Sequence, residues 1–217
     1  MVTFTTNLHP TSRMASDERR EQILHIAMRL FAERGFRGTT TKEIAQAAGV
    51  SEAMVFRHFA NKDELYHAII DHKACNQSDM KAPLEQMVEL AQAKDDYALF
   101  YGMALNALKK HREEPNFMRL MLFAALEGHE LAELFFENFV VEVYNFLGSY
   151  IEERQREGVF RQMEPRIVVR SFVGMIMHHS LNNTLWDRSQ KLLSISDEDA
   201  ARQFTEILLN GVLTNKQ

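Results

Sequence analysis

The chain has 217 residues, 46% of them hydrophobic and 25% charged. This composition is typical of one or two globular domains and excludes an intrinsically disordered chain. The net charge of −5 excludes a protein that coats nucleic acid with its whole surface. The single cysteine, Cys75, excludes an intrachain disulfide and argues against a cysteine metal site.

The N-terminal residues carry no targeting signal. They lack the basic start and apolar core of a secretory signal, and no apolar run in the chain reaches the ~18–20 residues that span a bilayer. We therefore expect residues 1–15 to form a disordered tail, with Met14 as an alternative start. The protein is expected to be cytoplasmic, without membrane contact.

The first predicted helix extends from about Asp17 to Arg34. Ser16 or Asp17 caps its start, and Gly35 provides a left-handed residue at its end. Its apolar residues recur at helical spacing on one face, and they are Ile23, Ile26, Ala27, Leu30 and Phe31. The pattern predicts an amphipathic helix that packs against the elements that follow it.

Two short helices are predicted next from their capping residues. Thr40 and Glu43 form a capping box that opens a helix over residues 42–48. Ser51 caps another helix over residues 52–59. Each start therefore has its own local signal.

The junction between these two helices has the pattern of a helix-turn-helix. Ile44 and Ala45 face inward, and Gly49 accepts the left-handed geometry of a tight turn. Val55 and Phe59, four residues apart, pack back toward the first helix. A turn of this kind lets the later helix enter the major groove of DNA while the earlier one braces it.

The exposed face of the third helix is predicted to contact base edges. A helix in the major groove needs small or hydrogen-bonding groups near its N-terminus. Arg57 suits guanine or phosphate, and Ala53 or Met54 suits a thymine methyl. The exposed positions are predicted to be Glu52, Ala53, Met54, Arg57 and His58. The alternative is a solvated helix face without a partner.

A lysine in the first turn of the fourth helix indicates a phosphate contact. Asn61 and Glu64 cap this helix, and a cation at Lys62 opposes the helix dipole. The position is explained if Lys62 and the N–H groups of that first turn hold a phosphate together. An ordinary solvated lysine is the alternative.

Net charge supports nucleic-acid binding only weakly. Residues 19–62 contain eight basic and four acidic side chains, but extending the window to 17–64 brings the net charge to zero. The prediction therefore depends on where each charge lies.

Two stretches resemble a known family. Residues 49–65, GVSEAMVFRHFANKDEL, look like the recognition helix and following turn of the tetracycline-repressor (TetR) family. Residues 23–48, ILHIAMRLFAERGFRGTTTKEIAQAA, resemble its first two helices. The resemblance implies a homodimer that binds a palindromic operator in double-stranded DNA. It also implies that a small-molecule effector in the C-terminal domain releases the DNA.

The resemblance and the helix face together assign nine residues to the DNA interface. They are Thr41, Lys42, Ser51, Ala53, Met54, Phe56, Arg57, His58 and Lys62. The family often has tyrosine where this chain has Phe56. Because phenylalanine has no hydroxyl group, the hydrogen bond to phosphate is lost there.

Residues 76–217 are predicted to form a helical domain for dimerisation and effector binding, after a DNA-binding domain at 16–75. Pro83 is expected to open its first helix. A helix over about 129–157 is apolar on two faces, which favours a central position or one beside a cavity. Because no alternating β pattern appears, the whole fold is predicted to be all-α.

Methionine and aromatic side chains indicate an effector cavity, since they suit adaptable apolar pockets. The candidates are Phe100, Met103, Met121, Phe139, Val143 and His178. Core packing is the alternative for each of them. The effector is then expected to be a small apolar or amphipathic molecule.

A polar cluster interrupts the apolar C-terminal sequence. It consists of His178, His179, Asn182 and Asn183. We predict a pocket wall or an interface there and no metal site, because no third ligand is evident.

The last two predicted helices, over about 165–186 and 196–209, suit a dimer interface. Their apolar residues are Phe172, Val173, Met175, Ile176, Phe204, Ile207 and Leu208. Paired with their symmetry mates, these helices form a four-helix bundle. An intrachain core is the alternative.

Together the features predict a sequence-specific transcriptional regulator, and the family resemblance favours a repressor. The motifs GxSxG, HExxH and GxGxxG and the P-loop are absent from the sequence, so neither an enzyme nor a cofactor is expected. The alternative is a DNA-binding factor of the same fold that organises chromosomes or acts in division without controlling promoters.

Overall fold

The computed structural model describes the backbone of residues 12–75 and 77–214, and the side chains of 16–69 and 85–214. These residues form helices and one isolated antiparallel bridge, between Phe160 and Leu213, and they form no strand. The predicted all-α fold is therefore confirmed for the described part of the chain.

The chain divides into two compact units. The first contains the described residues up to Lys73 together with residues 119–131. Its helices are α1 (Ser12–Arg34), α2 (Thr41–Ala47), α3 (Glu52–His58) and α4 (Lys62–Cys75). The second unit contains the described residues of 74–118 and those from Ala132 onward.

The remaining helices begin in or pass through the second unit. They are α5 (Gln77–Gln92), α6 (Asp96–Glu113), α7 (Pro115–Glu127), α8 (Glu130–Phe135), α9 (Val141–Arg156), α10 (Pro165–Leu181) and α11 (Asp197–Val212). Two π-helical turns occur at 136–140 and 182–186. Residues 119–127 of α7 belong to the first unit, whereas its first residues belong to the second.

Three helix starts differ in how well the sequence predicted them. Of the predicted tail, residues 1–11 lie outside the described residues, and residues 12–15 belong to α1 because residues 12–16 contain no glycine or proline. Pro83 was expected to open a helix, but α5 begins at Gln77, since residues 77–82 contain no glycine or proline. The capping box of Thr40 and Glu43 is confirmed.

The predicted continuous helix over 129–157 is interrupted by a π turn. The chain is helical from Glu130 to Arg156, but residues 136–140 are wound more widely than an α-helix. A π turn rotates the side chains that follow it relative to those before it. This rotation accounts for the two apolar stripes in the sequence, because Leu131 is buried before the turn and Leu147 after it.

The second unit has a continuous apolar core. Its centre includes Phe100 and Phe172, whose rings meet edge to face with centroids 5.2 Å apart. Other buried members come from α6, α9, α10 and α11, and they include Leu99, Leu147, Ile151, Val169, Ile176, Ala201 and Leu208. Helix α11 continues to Val212, beyond the predicted end near residue 209, because Val212 is also buried in this core.

A buried ion pair joins α6 to α9 beside this core. Arg154 donates two hydrogen bonds to the carboxylate of Asp96, at 2.9 and 2.8 Å. The hydroxyl of Tyr150 donates a third, at 2.6 Å. The side chains of Arg154 and Asp96 are only 10% and 14% exposed. Burial first, and then the hydrogen bond to Asp96, raises the pKa of Tyr150.

We predict that Asp96→Ala destabilises the protein by about 3 kcal/mol, because removing one partner of a buried ion pair leaves the other charge unpaired. The measurement is the free energy of unfolding in urea. The control is Glu206→Ala, which removes a half-exposed partner of Arg202 and is expected to cost less than about 0.5 kcal/mol. Equal effects of the two substitutions would contradict the prediction.

Candidate DNA-binding site

The first unit is built on a three-helix core. Ile23 and Phe31 of α1 are fully buried, as are Ile44 of α2, Val55 of α3 and Phe59, which follows it. The inward positions predicted for Ile44, Ala45, Val55 and Phe59 are therefore confirmed. Because both short helices bury one face against α1, their other faces are fixed in direction.

The turn between α2 and α3 is held by backbone hydrogen bonds. The N–H of Val50 donates to the carbonyl of Ala45 at 3.0 Å. Gly49 has a φ of +67°, a left-handed conformation that favours glycine. The side chain of Gln22 donates to the carbonyl of Ala48 at 3.2 Å, which ties the turn to α1. Local backbone geometry thus sets α3 relative to α2.

Helix α3 presents a continuous exposed face. Ser51 caps it by accepting a hydrogen bond from the N–H of Met54 at 3.2 Å. Ala53, Phe56 and Arg57 are exposed, while Met54 and His58 are half-buried. The face is small and polar near its N-terminus and basic near its C-terminus, as reading base edges in a major groove requires.

Helix α2 adds two of the predicted residues beside this face. Lys42 is exposed and Thr41 is half-buried. The hydroxyl of Thr41 donates to the carboxylate of Glu52 at 2.6 Å. Thr41 therefore braces α3 in this structure through Glu52, a role that the sequence did not indicate.

A basic group surrounds the C-terminal end of α3. The guanidinium of Arg20 lies 4.8 Å from the ring centroid of Phe59. Partial burial, and then the positive charges of Arg57, Arg20 and Arg19, lower the pKa of His58 below its ordinary value of 6.5. The cations of α1 and α3 thus lie close enough to repel a proton from His58.

Lys62 lies at the start of α4 against an aromatic ring. Its ammonium nitrogen is 4.0 Å from the centroid of Phe36, and burial lowers its pKa. Asn61 accepts a hydrogen bond from the N–H of Glu64 at 2.7 Å, as the capping pattern predicted. That N–H group is therefore engaged by a side chain, so the predicted phosphate contact depends mainly on Lys62 itself.

Residues 119–131 complete the first unit, and the sequence gave no indication of this. Arg119 donates to the carbonyl of Ala32, near the end of α1, at 3.0 Å. The carboxylate of Glu127 accepts a hydrogen bond from the N–H of Phe36 at 3.0 Å. These partners are 87 and 91 residues apart, a separation at which no periodicity or spacing signal connects two residues.

The six residues proposed for an effector cavity occupy several places. Phe100 belongs to the core of the second unit and Met103 packs against it. Phe139 is half-buried and Val143 is exposed, whereas Met121 lies in the first unit. The sixth, His178, lines a cleft of about 430 Å³ with Met175, His179, Asn182, Asn183, Phe204 and Ile207 among its other residues.

The predicted polar cluster lies along this cleft. The side chain of Asn182 hydrogen-bonds the ring of His178 at 3.1 Å, and that of Asn183 hydrogen-bonds His179 at 3.0 Å. Both pairs are four residues apart, as the sequence spacing suggested. Burial lowers the pKa of His179, which favours its neutral form.

A second, larger cleft of about 790 Å³ lies between α5 and α9. Its apolar lining comes from Val88, Ala91, Phe146 and Tyr150, and its polar lining includes Gln92, Asn145, Ser149 and Arg156. The sequence did not single out this cleft, because its residues come from helices separated by about 50 positions.

The geometry of α2, the turn and α3 defines a helix-turn-helix module, the class of structure that presents one helix to DNA. Residues 23–69 match the family model for bacterial regulatory proteins of the tetR family. Over these residues the chain is therefore similar to the DNA-binding module of the tetR family.

Three comparisons illustrate the likeness. The HTH-type transcriptional repressor Rv3405c of Mycobacterium tuberculosis is 44% identical over 71 residues, covering 29% of this chain and 38% of that protein. The nucleoid occlusion factor SlmA of Haemophilus influenzae is 26% identical over 186 residues, covering 80% of each. The crystal structure of AibR in complex with isovaleryl coenzyme A and operator DNA gives a TM-score of 0.64 at 21% identity, covering 88% of this chain and 98% of AibR.

These similarities differ in extent. The chain covers about a third of the length of the first curated relatives it matches, whereas the structural likeness extends over most of the chain and concerns the fold. Among the described residues, no helix combines the length and hydropathy that crossing a bilayer requires.

We predict that DNA affinity rises as pH falls, through His58. If a phosphate lies near this ring, the bound state has a higher His58 pKa than the free protein, so binding takes up a proton. DNA affinity therefore rises as pH falls from the His58 pKa of the bound protein to the lower His58 pKa of the free protein. The rise is at most about tenfold per pH unit. Fluorescence anisotropy between pH 5 and 8 measures it, and His58→Gln is expected to flatten the profile. An unchanged profile in that variant would exclude His58 as the source.

Proposed function

We propose that the protein is a sequence-specific transcriptional regulator that binds a palindromic operator as a homodimer. The observation that supports this most directly is the exposed face of α3, fixed behind a tight turn in a stretch that matches the family model. A helix so placed has the shape and polarity that major-groove recognition needs. Repression is the mode we propose, as in the name of the relative Rv3405c.

Within this proposal, base reading and phosphate binding fall to different residues. Ala53, Met54 and Arg57 face the bases. Ser51, Thr41, Lys42, His58 and Lys62 contact the backbone or support those that do. Phe56 is 45% exposed but has no hydroxyl, so its contribution is apolar contact without a hydrogen bond.

The homodimer is proposed from apolar surface on the last two helices. Ile167 of α10 and Ile207 of α11 are 51% and 60% exposed, although both are large aliphatic residues. Trp186, Leu192 and Leu193, between these helices, are also exposed. Exposed apolar patches of this kind mark protein interfaces, and two helices with their symmetry mates form a four-helix bundle.

The effector is proposed to bind the second unit and to be small and apolar or amphipathic. Clefts of about 430 and 790 Å³ lie in the size range of ligand pockets, ~300–1,000 Å³. AibR was crystallised with both an acyl thioester and operator DNA, which supports an effector of that chemical kind. Of the six residues that the sequence suggested, His178 lines one of these clefts and stays our candidate for a contact with the effector. Met121 lies in the first unit and Phe100 in the core, so neither belongs to this proposed site.

We predict that selection from random DNA recovers a palindrome whose half-site centres are separated by about one helical turn or a multiple of it. A gel shift on the recovered duplex is expected to show two copies of the chain per duplex. Ile167→Glu is expected to weaken this complex strongly, because it would bury an unpaired charge in the proposed dimer face. Recovery of no preferred sequence would contradict the proposal.

A second function is favoured by the relative SlmA, whose name describes nucleoid occlusion and which matches 80% of this chain. A chromosome-bound division factor would present the same helix-turn-helix. Genome-wide occupancy separates the two functions, since a regulator occupies one or a few promoters and an occlusion factor occupies many dispersed sites.

We predict that effector and operator weaken each other's binding by the same factor, because coupling between two sites is reciprocal. A thermal-shift screen, beginning with isovaleryl coenzyme A, identifies a ligand, which is then titrated by calorimetry with and without operator duplex. A typical coupling changes affinity by roughly 5- to 150-fold. Equal ligand affinities in the two titrations would show that this site does not control DNA binding.

A further inference from the structure

Phe36 lies between the end of α1 and the start of α2, and its ring contacts the ammonium group of Lys62. The Lys62 ammonium is 4.0 Å from its centroid. The rings of Tyr66 and His129 approach at centroid distances of 4.9 and 4.7 Å, and that of Phe31 at 5.9 Å. Phe36 is therefore packed by three rings while it holds a cation.

The backbone of Phe36 is held by the last residue of α7. Its N–H donates to the Glu127 carboxylate at 3.0 Å. Gly35, just before it, has a φ of +73° and passes so close to Glu127 that an added Cβ would lie 2.5 Å from a carboxylate oxygen. The contact thus needs glycine at 35 and an acceptor at 127.

We propose that Phe36, held in place by Glu127, positions the Lys62 ammonium for a DNA phosphate. This inference rests on the proposed DNA-binding function. Phe36 is a positioning residue, because it acts through Lys62 and not on the DNA directly. Glu127 acts one step further away, through the backbone of Phe36.

The physical reason is the flexibility of lysine. Its four-carbon stem has many rotamers, and ordering it costs conformational entropy when the ammonium meets a fixed phosphate. An aromatic face attracts the cation through its quadrupole, so the free protein already confines the ammonium near one place. Less conformational entropy of the Lys62 side chain is therefore lost when DNA binds.

Glu127 connects this contact to α7. Glu127 ends a helix whose first residues, from Pro115 to Met118, belong to the second unit. A change in α7 that withdraws the carboxylate releases the N–H of Phe36. Lys62 then loses its ordered position, and one phosphate contact weakens without any change in α3.

The first experiment compares two substitutions at Phe36, measured on the highest-affinity duplex from the selection described above. Phe36→Leu removes the ring and is expected to reduce the slope of log affinity against log salt by about 0.9, the value of one phosphate contact. Phe36→Tyr keeps the ring face and is expected to retain the wild-type slope. Raising salt from about 50 to 200 mM should therefore reduce the ratio of wild-type to Phe36→Leu affinity by about 3.5-fold.

A double-mutant cycle with Lys62→Met tests whether Phe36 acts through Lys62. In the Lys62→Met background, Phe36→Leu is expected to leave the salt slope unchanged, because the charge it positions is gone. If Phe36→Leu lowers the slope equally in both backgrounds, the inference is overturned.

A second pair of variants keeps the test decisive if Phe36→Leu does not fold. Glu127→Ala removes the acceptor for the Phe36 N–H and is expected to reduce the slope, whereas Glu127→Gln retains an acceptor oxygen and is expected to keep it. Leu126→Ala is the matched control, because Leu126 is 84% exposed. Equal slopes for Glu127→Ala and Glu127→Gln would overturn the role of Glu127.

The outcomes separate this inference from the proposed function. If no duplex is selected, the proposed DNA-binding function is contradicted. If Lys62→Met leaves the salt slope unchanged, the proposed contact between Lys62 and phosphate is contradicted. If Lys62→Met lowers the slope while Phe36→Leu does not, the DNA contact stands and the positioning role of Phe36 is wrong. Circular dichroism confirms that each variant compared is folded.

Discussion

The structure of the candidate site depends on the burial of two helices that are too short to be stable in isolation. Helices α2 and α3 have seven residues each, well below the ~12–15 residues at which an isolated helix becomes even marginally stable in water. Their buried residues, Ile44 and Val55, pack into the core that α1 provides. Because that packing is what makes them helical, it also determines which face of α3 remains exposed.

The first unit is also constrained by residues that lie much further along the chain. Arg119 donates to the carbonyl of Ala32, near the end of α1, and Glu127 accepts from the N–H of Phe36. These contacts lie at the end of α1 and at the turn before α2, where backbone groups need partners outside the helix. The compact first unit therefore includes residues 119–127 of α7, whereas the first residues of that helix belong to the second unit.

The second unit has a well-packed core and also carries large apolar residues on its surface. The ion pair of Asp96 and Arg154 and the contact of Phe100 with Phe172 give α6, α9 and α10 fixed partners. The exposed apolar residues of α10 and α11, by contrast, lie outside that core. The second unit thus combines a packed core with exposed apolar residues and two clefts, and the proposed dimer face and effector site are built on these last two features.

The sequence by itself determined the helix-turn-helix, its similarity to one family and the bounds of α2 and α3, because capping boxes, turn glycines and apolar periodicity are local signals. It did not determine that Lys62 rests on Phe36, that Thr41 binds Glu52, or that the helix after Glu130 contains a π turn. Nor did it show which of Phe100, Met121 and His178 would be core and which would line a cleft, since methionine and aromatic residues serve both purposes. Only the tertiary structure decided these points, because each depends on which side chains from distant segments meet. The bond between Glu127 and Phe36 spans 91 positions, and no local pattern encodes a contact at that separation.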